Sequence, residues 1–491
     1  MDKKIGIAIT KSGRRYPYVI TENPPRGGMK YTYFAPDKSY VVQFYNKPTD
    51  ADASVKNRID AIIGKYNPTK PESDGGAVGT DSRLAAYFNK RYCWIGDTVV
   101  SPEYGIISPA YPKDFYFSGD ASDFLQLEGK DKKSNWFTGG NRRFLQKEQL
   151  GDLKSWIQMS LLLARSVRRL HQAGLAHSDL SNNNVLIDPV TGNCIVIDID
   201  GLVVPGIYPP EVAGTRGYIA PEVLETFDRA ASDPRKVTPN AKTDLHALAV
   251  LIYEYLFFRH PLIGPKIHST VSAEEDDRLA LGERAVFIED PNDDSNRPKN
   301  LFPTIKELGP VLEKLFLRAF CEGLHNPMLR PSAMEWERGL AATWDLLHKC
   351  NNKHCTRGWF VYADPAQREC PYCGMKIKEE QSVRFLFYSE VRGHAGEWRK
   401  TGEMDITENT PLFAWHIWRD TYPDEKADKT LAAYCVKNRG EWYLINSRVG
   451  GLISPGGREV ATGNAVRLYD GAIFKTSEND GLVIKVSVTD N

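Results

Sequence analysis

The chain has 491 residues, of which 41% are hydrophobic and 26% charged, with Lys plus Arg and Asp plus Glu at 63 each. That length predicts about two to four domains with ample chain for a buried core, which excludes a disulfide-stapled mini-protein. The formal net charge of zero argues against broad steering onto nucleic acid or an anionic membrane, so neither is expected as a partner.

The N-terminus reads Met1-Asp2-Lys3-Lys4, and the apolar-leaning stretch after it, Ile5 to Ile9, is too short for a secretory hydrophobic region. The longest apolar run, about Ala247 to Phe258, is interrupted by Glu254. No segment reaches the ~20 residues that cross a bilayer, so a cytoplasmic location is expected.

Taken in order, the first landmark is Pro24-Pro25-Arg26-Gly27-Gly28-Met29-Lys30, where a glycine pair would let backbone amides approach a phosphate. An apolar strand follows at Tyr40–Tyr45. Val55, Ile59, Ile62, Ile63 and Tyr66 then share one helical face, which predicts an amphipathic helix over 52–66 before a loop at 67–79. A longer helix is predicted from Leu153 to Leu170, with Trp156, Ile157, Ser160, Leu163, Ala164, Val167 and Leu170 inward and Gly174 as its stop. A short apolar strand, Val185–Ile187, comes soon after, and residues 289–300 read as a loop.

The chemistry is concentrated behind that long helix. His177-Ser178-Asp179-Leu180-Ser181-Asn182-Asn183-Asn184 has the H-x-D-L-x-x-x-N pattern of a protein-kinase catalytic loop. Asp179 would accept the proton of an attacking hydroxyl, and Asn184, five residues on, would reach a magnesium ion. Fourteen residues after Asn184, the apolar run Ile195-Val196-Ile197 ends in Asp198, a carboxylate suited to Mg²⁺ bridging the phosphates of ATP. Gly214 to Glu222 carries an intact Ala220-Pro221-Glu222, with Arg330 as the expected partner of Glu222. Asp244 to Glu254 reads as a buried helix anchoring the catalytic loop. These elements fall in one order at workable spacing, which none of them alone would make specific.

On these residues the chain resembles the protein kinases over roughly residues 10–345. More closely, it resembles bacterial kinases of the TerY-P triad type, encoded with a PP2C-type phosphatase and a von Willebrand factor A protein. Gly174 to Ser181, Gly201-Leu202-Val203-Val204-Pro205-Gly206, His246 to Tyr253 and Phe287-Ile288-Glu289-Asp290-Pro291 carry this closer likeness. The resemblance implies ATP and Mg²⁺ as cofactors, protein substrates, and those two proteins as partners.

The departures matter as much. The usual G-x-G-x-x-G loop is absent, and the strand Tyr40–Tyr45 has no lysine at its end. A phosphate-binding cation must come from elsewhere, and Lys30 is the candidate, ahead of Lys38 and Lys47. Asp60 is a candidate for the partner carboxylate on the helix at 52–66. Ser178 stands where regulated kinases often carry arginine, and Ser181 where Ser/Thr kinases usually carry lysine. Asp200 replaces the glycine of D-F-G in Asp198-Ile199-Asp200-Gly201. It either assists metal binding as a second carboxylate or forms the true metal-binding end with Gly201. Asp198 is preferred because it follows the apolar strand directly. The expected nucleotide-binding set is therefore Gly27, Gly28, Lys30, Asn184, Asp198 and Asp200.

Cys350, Cys355, Cys370 and Cys373 form two pairs, with four and two residues inside each pair and fourteen between them. Two thiolate pairs on tight turns close a structural tetrahedral Zn²⁺ site with no open position. His348 and His354 could compete as ligands. The short β-runs Val383–Tyr388, Leu431–Val436, Glu441–Ile445 and Leu482–Val488 predict a β-sandwich. Its Trp442 to Asn446 and Leu468 to Ile473 steps resemble a forkhead-associated (FHA) domain, whose phosphothreonine-binding motifs cannot be placed here beyond weak candidates at His416 and Arg448.

The expected fold is α+β: a bilobal kinase-like fold with its N-lobe at 1–112 and C-lobe at 113–345, a zinc ribbon at 346–378 and an FHA-like all-β sandwich at 380–491. The expected activity is Mg-ATP-dependent phosphorylation of protein Ser/Thr, including the chain itself with Thr215 as the obvious target, in a bacterial stress or signalling system. The alternative is a pseudokinase scaffold that binds nucleotide and recruits partners through its zinc and β modules.

Overall fold

In the computed structural model, residues 4–47, 52–118, 125–208, 214–230, 232–378, 380–394, 396–427, 429–477 and 481–490 are described. The chain divides into two compact units. One holds Met1–Gly151, Met159–Leu301 and Phe316–Met334, and the other Asp152–Gln158, Phe302–Leu315 and Glu335–Asn491.

The first unit begins with six strands: β1 (Ile5–Thr10), β2 (Arg15–Val19), β3 (Lys30–Phe34), β4 (Tyr40–Tyr45), β5 (Asp97–Ser101) and β6 (Gly105–Pro109). They form one antiparallel sheet in the order β2-β1-β5-β6-β4-β3. Side chains alternate between the faces of a strand. Tyr18, Val42, Phe44 and Val99 accordingly gather in one apolar cluster, with Tyr31 and Tyr33 against it. Lys30 and Tyr45 are cross-strand partners one step out of phase with that cluster, so both face the other way.

Helix α1 (Ala53–Ile63) is capped by Asp52, whose Oδ1 accepts from Val55 N at 2.9 Å. It buries the predicted Val55, Ile59 and Ile62, and also Arg58. Helix α2 (Ser82–Phe88) and the short α3 (Asn135–Thr138) precede α4 (Leu153–Gln172). Every α4 residue expected to face inward is buried, and Gly174 ends the helix in a left-handed conformation with φ 80°. A Cβ there would lie 3.5 Å from the Tyr66 ring.

A two-stranded ribbon, β7 (Val185–Asp188) with β8 (Asn193–Val196), and a short helix α5 (Pro221–Glu225) follow. Helix α6 (Ala241–Phe257) is apolar all round and buried along its length, which is how a helix reads when it forms the centre of a core. Helix α7 (Ala273–Leu281) completes the helices of this unit, while α8 (Gly309–Leu317) and α9 (Ala333–Trp344) fall mostly in the second. Among the described residues, no helix is long and apolar enough to cross a membrane.

In the second unit, β9 (Leu347–Lys349) pairs with β10 (Trp359–Val361). The C-terminal β-rich region consists of β11 (Gln381–Glu390), β12 (Trp398–Ile406), β13 (Pro411–Leu412), a helical turn α10 (Ala414–Ile417), β14 (Ala433–Asn438), β15 (Glu441–Asn446), β16 (Ala465–Leu468), β17 (Ile473–Lys475) and β18 (Val483–Asp490). These strands form two antiparallel sheets, β12-β11-β18-β17 and β13-β14-β15-β16. Phe385, Phe387 and Ile484 of the first share a core with Cys435, Leu444 and Leu468 of the second. All four predicted β-runs lie on or beside strands. Asn446, at the end of one FHA-like step, is fully buried and brackets Val449 and Val460 through its side-chain amide.

Candidate active site

The loop behind α4 is held from below. Asp244 of α6 accepts from His177 N at 2.8 Å and from His171 Nε2 at 3.0 Å, while His177 Nε2 donates to Ile197 O at 3.1 Å. Ser178 takes a left-handed backbone (φ 61°), and its hydroxyl donates to Gly201 O at 3.0 Å. A left-handed non-glycine residue carries a conformational cost that such surrounding bonds must offset. The expected anchoring role of the 244–254 helix is thus visible as named hydrogen bonds.

On this base the structure brings Asp179 and Asn184 together. Asn184 Nδ2 donates to Asp179 O at 2.8 Å and to its Oδ2 at 2.9 Å. Thr215 donates its hydroxyl to Asp179 Oδ1 at 2.7 Å. Ile197 N donates to Asn184 O at 3.0 Å, which seats Asp198 beside Asn184. Asp198 has φ 61°, and its carboxylate is half exposed.

Lys30 arrives from β3. Its Nζ hydrogen-bonds Asp200 Oδ2 and lies 3.6 Å from Asp198 Oδ1. Tyr45 OH donates to the same Asp200 oxygen at 3.0 Å, and Arg58 of α1 donates to Asp200 O at 3.1 Å. Burial opposes the charge on Lys30, yet Asp200 and Asp198 outweigh it and hold the ammonium's pKa up. Asp200 is pulled down against its own burial by Lys30 and Tyr45, whereas burial and the Asp200 charge push Asp198 up. Asp60, the candidate partner on α1, instead pairs with Lys11 at 2.6 Å. Arg58 carried no sequence signal as a site residue, because an arginine between helical apolar positions reads as solvated.

Gly27 and Gly28 lie exposed in the turn entering β3. Asn46 pins that turn, donating to Gly28 O at 3.0 Å and Gly27 O at 3.3 Å. A Cβ on Gly28 would meet no atom within 4 Å among the described residues, so the backbone there is open to a ligand. Ser181 is fully buried and accepts from Asn183 N at 3.4 Å, so it offers no cation. The donor set of an Asp198 carboxylate, an Asn184 amide oxygen and a Lys30 ammonium beside an open glycine backbone fits Mg²⁺ with a nucleotide phosphate.

The segment leading to the Ala-Pro-Glu step is fastened twice. His260 Nε2 donates to Gly217 O at 2.8 Å while its Nδ1 accepts from Leu262 N at 3.1 Å, which requires a neutral ring. Burial accordingly lowers its pKa to about 4. Tyr218 OH donates to Glu254 of α6, whose pKa burial raises to about 7. Arg330 grips Glu222 bidentately at 2.8 and 2.7 Å, as expected, and also donates to the carbonyls of Gly323, Lys242 and Leu324. Residues 209–213 of this segment lie outside the described residues.

In the second unit, the thiols of Cys350, Cys355, Cys370 and Cys373 lie within 4.8 Å of one another. Two of the separations are 3.5 and 4.0 Å, close to the ~3.8 Å that a tetrahedral site with Zn–S near 2.3 Å would give. The cluster is compatible with zinc. Gly374 takes φ 68° after the last thiol, and its N donates to Cys370 O at 2.9 Å, closing the second turn. His348 is not part of the cluster, since its Nδ1 bonds Asp405 at 2.8 Å, and His354 is exposed. His416 is buried, and Phe413 N donates to its Nδ1 at 3.0 Å; exposed Arg448 donates to Thr430 O at 3.4 Å.

Residues 136–337 match the family model described as protein kinase domain. The chain is 30% identical to rhodopsin kinase GRK7 of Homo sapiens over 167 residues, which is 33% of this chain and 27% of that protein. It is 32% identical to the anti-Muellerian hormone type-2 receptor of Oryctolagus cuniculus over 133 residues, 22% of this chain and 23% of that one. The chain thus spans about a quarter of the length of these curated relatives. Among solved structures, a Toxoplasma gondii rhoptry antigen kinase domain is similar with a TM-score of 0.40 and 14% identity, over 69% of this chain and 86% of that chain. The family match and the relatives support a protein kinase domain, and such a domain implies ATP and Mg²⁺.

Proposed function

We propose that the chain is a protein kinase that uses Mg-ATP to phosphorylate Ser/Thr hydroxyls of proteins, itself included. The observation that carries this reading is the Asp179 carboxylate, oriented by Asn184 and already accepting a hydroxyl proton from Thr215. In that arrangement Asp179 receives the proton of an acceptor hydroxyl as its oxygen attacks. When bound, Mg-ATP supplies the γ-phosphoryl group and a divalent charge that offsets its negative charge. Asn184 and Asp198 would hold the metal, Lys30 the phosphates, and the open turn at Gly27 and Gly28 the nucleotide's phosphate chain. Bidentate Arg330–Glu222 pairing supports a protein-docking lobe over a small-molecule kinase.

This reading extends to a zinc-bound Cys350–Cys355–Cys370–Cys373 ribbon and to a cytoplasmic setting suited to free thiols. A bacterial signalling system with a PP2C-type phosphatase and a von Willebrand factor A protein rests on the resemblance to the TerY-P triad kinases. An FHA-like role for the C-terminal sandwich rests on its two-sheet core alone, because buried His416 cannot greet a phosphopeptide.

The second reading, a nucleotide-binding scaffold, is favoured by buried Ser181, which leaves the catalytic loop without the expected cation. Transfer of labelled γ-phosphate onto the purified protein, with site mapping and Asp198→Asn alongside, separates the two. Label on Ser or Thr that disappears in the variant establishes the kinase. No label with any acceptor, partner proteins included, leaves the scaffold.

A further inference from the structure

The phosphate-binding half of the proposed site is assembled with its charges exchanged. In the resembled family, helix α1 should bring a carboxylate to the phosphate-binding lysine. Here α1 brings a cation, Arg58, and the carboxylate comes from the loop after Asp198. We propose that Asp200 is a positioning residue: its carboxylate holds the Lys30 ammonium where the phosphates bind, rather than coordinating the metal. The inference rests on the nucleotide-binding reading above.

Four features support it. The two carboxylates differ in access, since the Asp200 side chain is 11% exposed and that of Asp198 is 46% exposed. One oxygen of Asp200 already accepts from both Lys30 and Tyr45, while the half-exposed Asp198 carboxylate keeps room for a metal. Lys30 and Tyr45 are also cross-strand neighbours at the ends of β3 and β4, so the sheet delivers both donors to the same acceptor in one register. Arg58 fixes the backbone carbonyl of Asp200 from α1, which ties the helix to the lysine through Asp200. Ammonium and carboxylate are buried together, each compensating the other's desolvation, so neither is free to move alone.

The test is a double-mutant cycle on the full chain, reading ATP affinity by calorimetry with and without Mg²⁺, the KM and kcat of transfer, and the melting temperature. Lys30→Met and Asp200→Asn should each weaken ATP binding roughly tenfold to a hundredfold, the range for a lost charge-assisted hydrogen bond. The double variant should be no weaker than Lys30→Met alone, and the Mg²⁺ concentration for half-maximal transfer should stay unchanged in Asp200→Asn. Asp200→Glu, which keeps the charge, should recover part of the affinity and guards against a variant that fails to fold. Losses that multiply in the double variant overturn the proposal. So does an Asp200→Asn that keeps its ATP affinity and needs more Mg²⁺, because Asp200 would then be a metal ligand. If the wild-type chain binds no ATP, this inference falls with the nucleotide-binding reading. Non-additive ATP binding without phosphate transfer upholds it and overturns only the kinase activity.

Discussion

Glu254 offers a prediction with a definite sign. Its carboxyl is buried on α6 and accepts a hydrogen bond from Tyr218. Burial raises its pKa from 4.5 to about 7, with the Tyr218 bond holding it lower than burial alone would. The folded chain therefore prefers the neutral acid. Below pH 4.5 the group is protonated folded or unfolded, and its full contribution to stability is present. Between 4.5 and about 7 the unfolded chain ionises first and stability is lost; above that both states are ionised and the deficit is constant. The difference of about 2.5 pH units corresponds to about 3 kcal/mol. Glu254→Gln keeps an acceptor for Tyr218 and removes the ionisation. Urea unfolding of both proteins at pH 5 and pH 8 checks it. The variant should gain up to about 3 kcal/mol on the wild type between the two pH values. His260, held neutral nearby with its pKa lowered to about 4, loses stability as pH falls from its ordinary value of 6.5 through 4. That opposite slope is common to both proteins, so the difference between them isolates Glu254. A variant destabilised equally at both pH values would refute the reasoning.

The remaining predictions concern buried polar joints. Arg330→Met removes a side chain only 1% exposed, frees Glu222 and strips three backbone carbonyls of a donor. Breaking such a pair costs about 3–5 kcal/mol, and a loss below about 1 kcal/mol in denaturant melts would show the pair to be dispensable. Purified protein should carry close to one zinc per chain by elemental analysis, and Cys370→Ser or a strong chelator should remove it and lower the melting temperature. Metal-free protein with the same melting temperature would argue against a structural site.

What the sequence made legible follows the distance between partners along the chain. Asp179 and Asn184 stand five residues apart on one loop, and Asp198 ends an apolar run fourteen residues later, so local order sufficed to mark them. The inward face of α4 was equally plain, because seven apolar or small residues recur at helical spacing. The Lys30–Asp200 pair joins residues 170 apart, and Arg58 reaches Asp200 across 142. Nothing in a local pattern announces such a pairing. Helix α1 also contributes an arginine where the resemblance implies a carboxylate. His348 shows the same limit, because its place beside Cys350 suggested a ligand while its partner, Asp405, lies 57 residues on.

The exchange of charges also bears on why the site tolerates two carboxylates two residues apart. Burial raises the proton affinity of Asp198, and the Asp200 charge adds to that. A protonated Asp198 would be a poor ligand for a hard cation, which needs the ionised oxygen. Lys30 opposes both effects at once, because its ammonium lowers the proton affinity of each carboxylate. In the proposed reading the same lysine offers a charge to the nucleotide while opposing the rise in the proton affinity of Asp198. Moving the lysine from the strand end to the glycine turn, and placing a carboxylate where a glycine is expected, then read as one coupled change. Either half alone would leave a buried charge, Lys30 or Asp200, without its partner. Tyr45, at the end of β4 where the absent lysine would stand, completes the set by donating to the aspartate that takes over the lysine's partner.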